Sequence, residues 1–209
     1  TDLIPAVWYH RTLTLPENWR NKRVFLHFGG VDYDCRAWIN GRLAGRHYGG
    51  GVSFEFEITS YLTNGSNNIV ICALDDVKSG LQPMGKQTPY VYDPNKWSTS
   101  YMRTTGIWQT VWVEARSENF ISSVKIKPDV DNSRFILEPT FDKIDKDLKF
   151  QVTLLSQDGE KINTIISELI NGIPLIVKVP GAKLWQPGNP YLYQFRLELI
   201  KNGQVIDKV

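Results

Sequence analysis

Residues 52–58 read VSFEFEI, and in them Phe54, Phe56 and Ile58 alternate with Ser53, Glu55 and Glu57. A period of two sends one face of an extended chain into a core and the other into water. Similar runs recur at 9–15, 24–28, 35–39, 69–74, 107–113, 124–126, 135–137, 148–154, 162–166, 175–179 and 193–199. Between many of them stand Asn40-Gly41, Asn64-Gly65, Asp158-Gly159, Asn171-Gly172 and Asn202-Gly203, dipeptides that tolerate the positive φ of tight primed turns. No segment keeps an apolar period of 3.6 over three turns. The chain is therefore read as all-β, with turn spacing that favours sandwiches or barrels over a parallel sheet with crossover helices.

A shift in composition divides it. Residues 1–116 hold six of the seven tryptophans and the run Gly49-Gly50-Gly51, whereas the remainder is richer in Ile, Lys and Asp and keeps only Trp185. Two β-domains are expected, 1–117 and 118–209, joined around residues 115–120. The second, with some seven short strands, has the size of an immunoglobulin-like sandwich. Residues 75–105 are the longest stretch without periodicity, too long for a simple connection and so expected to be functional or packed on a neighbouring domain.

The bulk properties narrow the function. Lys+Arg 24 against Asp+Glu 22 leaves a net charge of +2 with no run of like charges, which argues against nucleic acid or a membrane as partner. The longest apolar runs, such as 173–177, fall far short of the roughly 20 residues that span a bilayer, and the N-terminal residues lack the layout of a signal peptide. Cys35 and Cys72 belong to no Cys-x-x-Cys or Cys/His cluster. They read as small buried hydrophobes, with a disulfide between them left to geometry. Two lone cysteines fit a cytoplasmic setting as well as a periplasmic or secreted one.

The obvious constellations carry no chemistry. Glu55 and Glu57 share a strand face that reads as solvated, Asp75-Asp76 as ionised turn residues at a strand end, and Asp142, Asp145 and Asp147 as a turn lacking the glycine and glutamate of a calcium loop. His10, His27 and His47 are scattered, and Gly49 to Gly51 precede a strand instead of a phosphate-binding helix. Asn64-Gly65-Ser66 fits a glycosylation sequon that its turn role explains. No catalytic residue, metal site or cofactor is assigned.

Residues 85–109, GKQTPYVYDPNKWSTSYMRTTGIWQ, differ. Flat aromatic faces among a few hydrogen-bonding groups suit a sugar ring, whose C–H face stacks on an aromatic ring while its hydroxyls take donors and acceptors. Trp108 and Trp112 alternate within a strand and are best explained by packing. For Trp97 and Tyr101, packing and ligand stacking stand level.

AVWYHRTLTLP (6–16), VFLHFGGVDYDCRAWINGRLAGRHYGGGVSFEFEITSYL (24–62), NNIVICALDD (67–76), GKQ (85–87) and TTGIWQTVWVEA (104–115), taken in order, resemble the N-terminal sugar-binding domain of glycoside hydrolase family 2, which includes β-galactosidases, β-glucuronidases and β-mannosidases. LWQPGNPYLYQFRLELIKNGQVIDKV (184–209) resembles the end of its immunoglobulin-like second domain. The resemblance implies a jelly roll followed by an immunoglobulin-like sandwich, normally leading into a (β/α) barrel that carries both catalytic glutamates. A retaining mechanism needs two carboxyl groups roughly 5–5.5 Å apart on a rigid scaffold, and no residue of this chain matches either motif.

The expected function is thus the non-catalytic N-terminal part of a retaining, β-galactosidase-like exo-glycosidase acting on β-linked sugars. Its partners would be the catalytic barrel of the same parent chain and a β-linked saccharide, with the oligomeric state open. In better-known relatives an acidic residue stands six positions before the glycine of GI-x-x-x-V; here that glycine is Gly106 and the position is Ser100. Gln87, Trp97, Ser100, Tyr101 and Arg103 are the candidate substrate-binding residues, Arg103 either touching substrate or fixing the loop. A free-standing carbohydrate-binding module is the alternative, and a structural pair of sandwiches the third reading.

Overall fold

The computed structural model describes residues 4–88 and 101–209. Its described residues form sixteen strands and two single-turn 3₁₀ helices, with no α-helix. They separate into two compact units, Thr1–Ala115 and Arg116–Val209.

In the first unit the strands are β1 (Ala6–Thr14), β2 (Arg23–Phe28), β3 (Val31–Asp32), β4 (Asp34–Ile39), β5 (Arg42–Tyr48), β6 (Phe54–Glu57), β7 (Ser66–Leu74), β8 (Gly106–Ile107) and β9 (Val111–Arg116). They make a four-stranded sheet ordered β1-β7-β4-β5, a three-stranded sheet β6-β2-β9, and the short pair β3-β8. Leu26 and Phe28 from one sheet meet Ala37, Ile39, Ile69 and Ile71 from the other in a single core. This is the jelly-roll sandwich, with β3-β8 tying one end of it together.

The second unit contains β10 (Ile121–Asp129), β11 (Arg134–Phe141), β12 (Leu148–Leu155), β13 (Lys161–Glu168), β14 (Leu175–Lys178), β15 (Gln194–Lys201) and β16 (Gln204–Lys208). A three-stranded sheet β10-β11-β14 faces a four-stranded sheet β13-β12-β15-β16. Leu137 and Val177 from the first sheet and Phe150, Val152, Leu154, Leu197 and Leu199 from the second fill the core between them. Seven strands in a three-on-four arrangement are the immunoglobulin-like sandwich.

The turn dipeptides divide by topology. Asn40 and Asn202, each followed by glycine, adopt positive φ and close the tight hairpins β4-β5 and β15-β16, as primed turns require. Asn64-Gly65 and Asn171-Gly172 lie between strands of different sheets. There the chain crosses the sandwich, and neither Asn64 nor Gly65 adopts positive φ. Asn171 instead closes its connection with its side chain, its Oδ1 accepting from the Phe141 N–H at 2.8 Å.

Cys35 and Cys72 are both buried and free. In the β4-β7 register Cys35 stands opposite Ala73, and Cys72 opposite Arg36. The two thiols therefore project from opposite faces of one sheet, a geometry that excludes a bond between them. Burial, with the nearby charge of Asp34 and the Cys72 thiol adding to it, pushes the Cys35 thiol up to about 12.

Glu55 and Glu57 lie on the outer face of β6, as their spacing predicts, but they are paired as well as solvated. Glu57 receives Arg23 through two hydrogen bonds of 3.0 and 2.7 Å. Glu55 lies 3.2 Å from Nδ1 of His27, whose Nε2 lies 3.2 Å from Glu114. Trp112 stacks on that imidazole at 4.7 Å with the planes 5° apart, and Trp108 donates its indole N–H to the Gly50 carbonyl at 2.7 Å. Both tryptophans remain exposed, so their packing is lateral, on the sandwich surface.

Candidate functional site

The two described ends of the 86–105 stretch, 86–88 and 101–105, are tied to the jelly roll through two buried carboxylates. Asp75 follows the last residue of β7, and it is 1% exposed. Its Oδ1 accepts from the Gln82 amide at 2.6 Å, and its Oδ2 from the Thr105 hydroxyl at 2.6 Å. Nε of Arg103 approaches the same Oδ2 at 3.4 Å, while the guanidinium also donates to the Ile4 carbonyl at 2.6 Å. The backbone N–H of Asp75 donates to Pro5 O at 2.9 Å. Asp75, expected as an ionised turn residue at a strand end, is thus a buried hub. Arg103 and Thr105, 28 and 30 residues downstream, return to the strand end and enclose it.

Asp32 is the second carboxylate, at the end of β3 and also buried. Gln87 spans it and the returning chain, donating Nε2–H to Asp32 at 2.9 Å and accepting from the Thr104 N–H at 2.8 Å through Oε1. Burial raises the Asp32 carboxyl above its ordinary value of 3.8; the Gln87 hydrogen bond opposes this, the charge of Asp75 adds to it and that of Arg103 lessens it. Main-chain hydrogen bonds join the two ends of the stretch, from Tyr101 N–H to Lys86 O at 2.7 Å and from Thr88 N–H to Tyr101 O at 3.0 Å.

Gly106 completes the anchor. Its φ of +107° lies where side chains are rarely tolerated, and a Cβ there would come within 2.2 Å of the Tyr9 hydroxyl. That hydroxyl accepts from the Ile107 N–H at 3.1 Å. Tyr9 on β1 thereby sets where β8 begins.

The candidate residues sort accordingly. Gln87 and Arg103 have both ends of their polar groups committed to the jelly roll, so their contacts are those of positioning. Tyr101 points outward, 66% exposed, with the Lys86 ammonium 5.9 Å from its ring centroid. Trp97 and Ser100 lie outside the described residues. The sequence reading missed Asp32, Asp75, Thr105 and Tyr9, whose partners stand up to 98 residues away. What the arrangement can do is hold a stretch rigidly at its base. Both oxygens of Asp75 and Oδ2 of Asp32 accept from protein donors, which makes the arrangement an anchor.

Two successive sandwiches, the first carrying an anchored aromatic stretch, place the chain in the class of paired jelly-roll and immunoglobulin-like modules. Residues 1–116 match the family described as glycosyl hydrolases family 2, sugar binding domain, and residues 119–209 match glycosyl hydrolases family 2. The chain belongs to glycosyl hydrolase family 2. A putative β-glucuronidase of Formosa agariphila is 28% identical over all of the chain, which covers 25% of that protein. A β-galactosidase of Thermoanaerobacter pseudethanolicus is 26% identical over 96% of the chain and 27% of its own length. The crystal structure of a putative β-galactosidase from Bacteroides fragilis superposes with a TM-score of 0.74 at 26% identity, over 98% of this chain and 32% of that one. The Ruminococcus gnavus β-glucuronidase shares the fold, with a TM-score of 0.77 at 21% identity. The chain spans about a quarter of the length of the curated relatives it matches.

Proposed function

We propose that this chain is the non-catalytic N-terminal part of a retaining exo-glycosidase acting on β-linked sugars, in which the two sandwiches support a catalytic barrel and the 86–105 stretch closes one wall of the substrate pocket. The observation that carries the reading is the double anchor on Asp32 and Asp75. Two carboxylates buried against Gln87, Arg103 and Thr105 hold both ends of an aromatic, polar stretch, the arrangement expected of a wall that must keep its shape beside a sugar. Family membership and relatives named β-galactosidase and β-glucuronidase support β-glycosides as the substrate class. Within this reading Gln87 and Arg103 are positioning residues, and Tyr101, Trp97 and Ser100 are those that reach substrate.

The test compares the full reading frame that encodes the chain with residues 1–209 alone, on p-nitrophenyl β-galactoside and β-glucuronide. Hydrolysis is expected from the whole protein and none from the 209-residue chain; turnover by the latter would overturn the placement of the catalytic groups. In the whole protein Tyr101→Ala should raise KM with little effect on thermal stability, since the ring is exposed. Calorimetric titration of the 209-residue chain with the free sugars should show no heat, whereas millimolar or tighter binding lost in Trp97→Ala would favour the free-standing binding module.

A further inference from the structure

We propose that a cleft at one end of the immunoglobulin-like unit seats the polypeptide that follows Val209 in the parent protein, an inference that rests on the reading of this chain as part of a larger glycosidase. The cleft encloses about 540 Å³ between the end of β10, the start of β11 and the segment leading into β15. Phe135, Val179 and Phe195 form its floor. Trp185 and Leu192, 58% and 62% exposed, stand at its rim. Exposed apolar groups gathered around a cleft of this kind mark an interaction site.

Several of the polar groups lining it are engaged within the protein. The Tyr193 hydroxyl accepts from the Lys183 N–H at 2.7 Å, the Tyr191 hydroxyl from the Gln157 N–H at 3.3 Å, and Arg134 donates to Asp129 at 2.5 Å. The rest of the lining is mostly apolar, with Ile126, Val130 and Leu184 beside that floor and rim, which suits a saccharide poorly. Apolar side chains on an extended segment fit better.

Strand register says which segment. β16 runs antiparallel to β15, pairing Leu199 with Asp207 and Glu198 with Lys208. Val209 and Leu197 then exchange two backbone hydrogen bonds of 2.9 Å. Each further residue moves the chain one step toward the start of β15, so the second residue past Val209 comes level with Phe195 and the fourth with Tyr193. At ~3.3 Å per residue that is within ~15 Å of the strand's end. Relatives about four times the length of this chain carry further polypeptide, and a segment tethered at Val209 has an effective concentration, on the order of millimolar for a short flexible link, that a separate partner would have to match.

Leu192→Cys tests this by thiol labelling. Cys35 and Cys72 are 0% and 1% exposed, so maleimide reports on position 192, read by peptide mass spectrometry. Labelling at position 192 should be at least ~10-fold slower in the parent protein than in the 209-residue chain, because a covered site reacts only through local opening. Ile166→Cys, on the opposite edge strand β13, should label alike in both. Equal rates at position 192 overturn the proposal, as does slow labelling already present in a 209-residue chain that sediments as a dimer, which would make a second copy the occupant. A parent that hydrolyses the aryl glycosides while the thiol at position 192 reacts freely keeps the functional reading and loses this one; a reading frame that ends at Val209 overturns both.

Discussion

Asp75→Ala should unfold the jelly roll at a markedly lower temperature, because it strands a buried cation. In the native protein the Asp75 carboxylate is fully enclosed and the Arg103 side chain is 9% exposed, so solvent screens the pair little. Removing one member of a buried pair leaves the other uncompensated, at a cost of about 3–5 kcal/mol. The hydrogen bonds from Gln82 and Thr105 go with it, each worth ~0.5–1.5 kcal/mol net when made and overlapping with that cost, so the sum is not additive. For a unit of this size about 3–5 kcal/mol corresponds to a fall of ~10–20 °C in Tm. Differential scanning calorimetry measures it. Thr105→Val, which removes one hydrogen bond, should cost only ~1–2 kcal/mol. Adding Arg103→Met to Asp75→Ala should recover part of the loss, because the stranded charge is then gone. An Asp75→Ala change costing under ~1 kcal/mol, or a double variant no more stable than the single one, would refute the account of Asp75 as a buried hub.

Three further outcomes follow from the same geometry. Asp32, raised by burial, binds its proton more tightly in the folded chain than in the unfolded one, so its contribution is full below 3.8 and is lost as pH rises through the folded value; Asp32→Asn, which keeps an acceptor for Gln87, should be more stable than wild type at pH 7, with the advantage vanishing toward pH ~3.5, and a Tm difference that does not change with pH would contradict this. Gly106→Ala should cost more than ~2 kcal/mol through its positive φ and its collision with the Tyr9 hydroxyl, and adding Tyr9→Phe should leave most of the deficit, measured by urea denaturation. Both cysteines should be silent to Ellman's reagent in the folded chain and both should titrate in guanidinium, whereas a count below two after unfolding without reductant would show a bond that the strand register excludes.

The fold was legible because its signal is local. Alternation in VSFEFEI and its counterparts needs only neighbours, and each such run lies on or overlaps a strand. β3, β5 and β16 escaped the pattern: Val31–Asp32 is only two residues long, and Arg42–Tyr48 and Gln204–Lys208 carry little apolar alternation, although β6, an edge strand like the latter two, carries it clearly. The hairpin dipeptides misled where position outweighed type. Asn40-Gly41 joins adjacent strands of one sheet and has Ile39 and Leu43 close on either side, while Asn64-Gly65 joins different sheets and runs on into the polar Ser66-Asn67-Asn68.

The site was legible only in its exposed half. Tyr101 advertises a surface by its ring in a stretch without alternation, and it is exposed. The groups that fix that surface give no such signal, because a lone aspartate at a strand end looks the same whether water or Arg103 receives its charge. Only contact across long sequence separation distinguishes them, as from Asp32 to Gln87 over 55 residues. Arg103 is a candidate for substrate contact and for loop fixing on the same ground, since its residue type suits both; its burial against Asp75 supports the second. A cation enclosed by Asp75 and a backbone carbonyl cannot turn to a sugar without leaving that carboxylate unpaired, a loss of several kcal/mol that one new hydrogen bond does not return. Substitution of Arg103 should therefore act on the placement of the stretch, with stability and KM changing together, while substitution of Tyr101 separates the two.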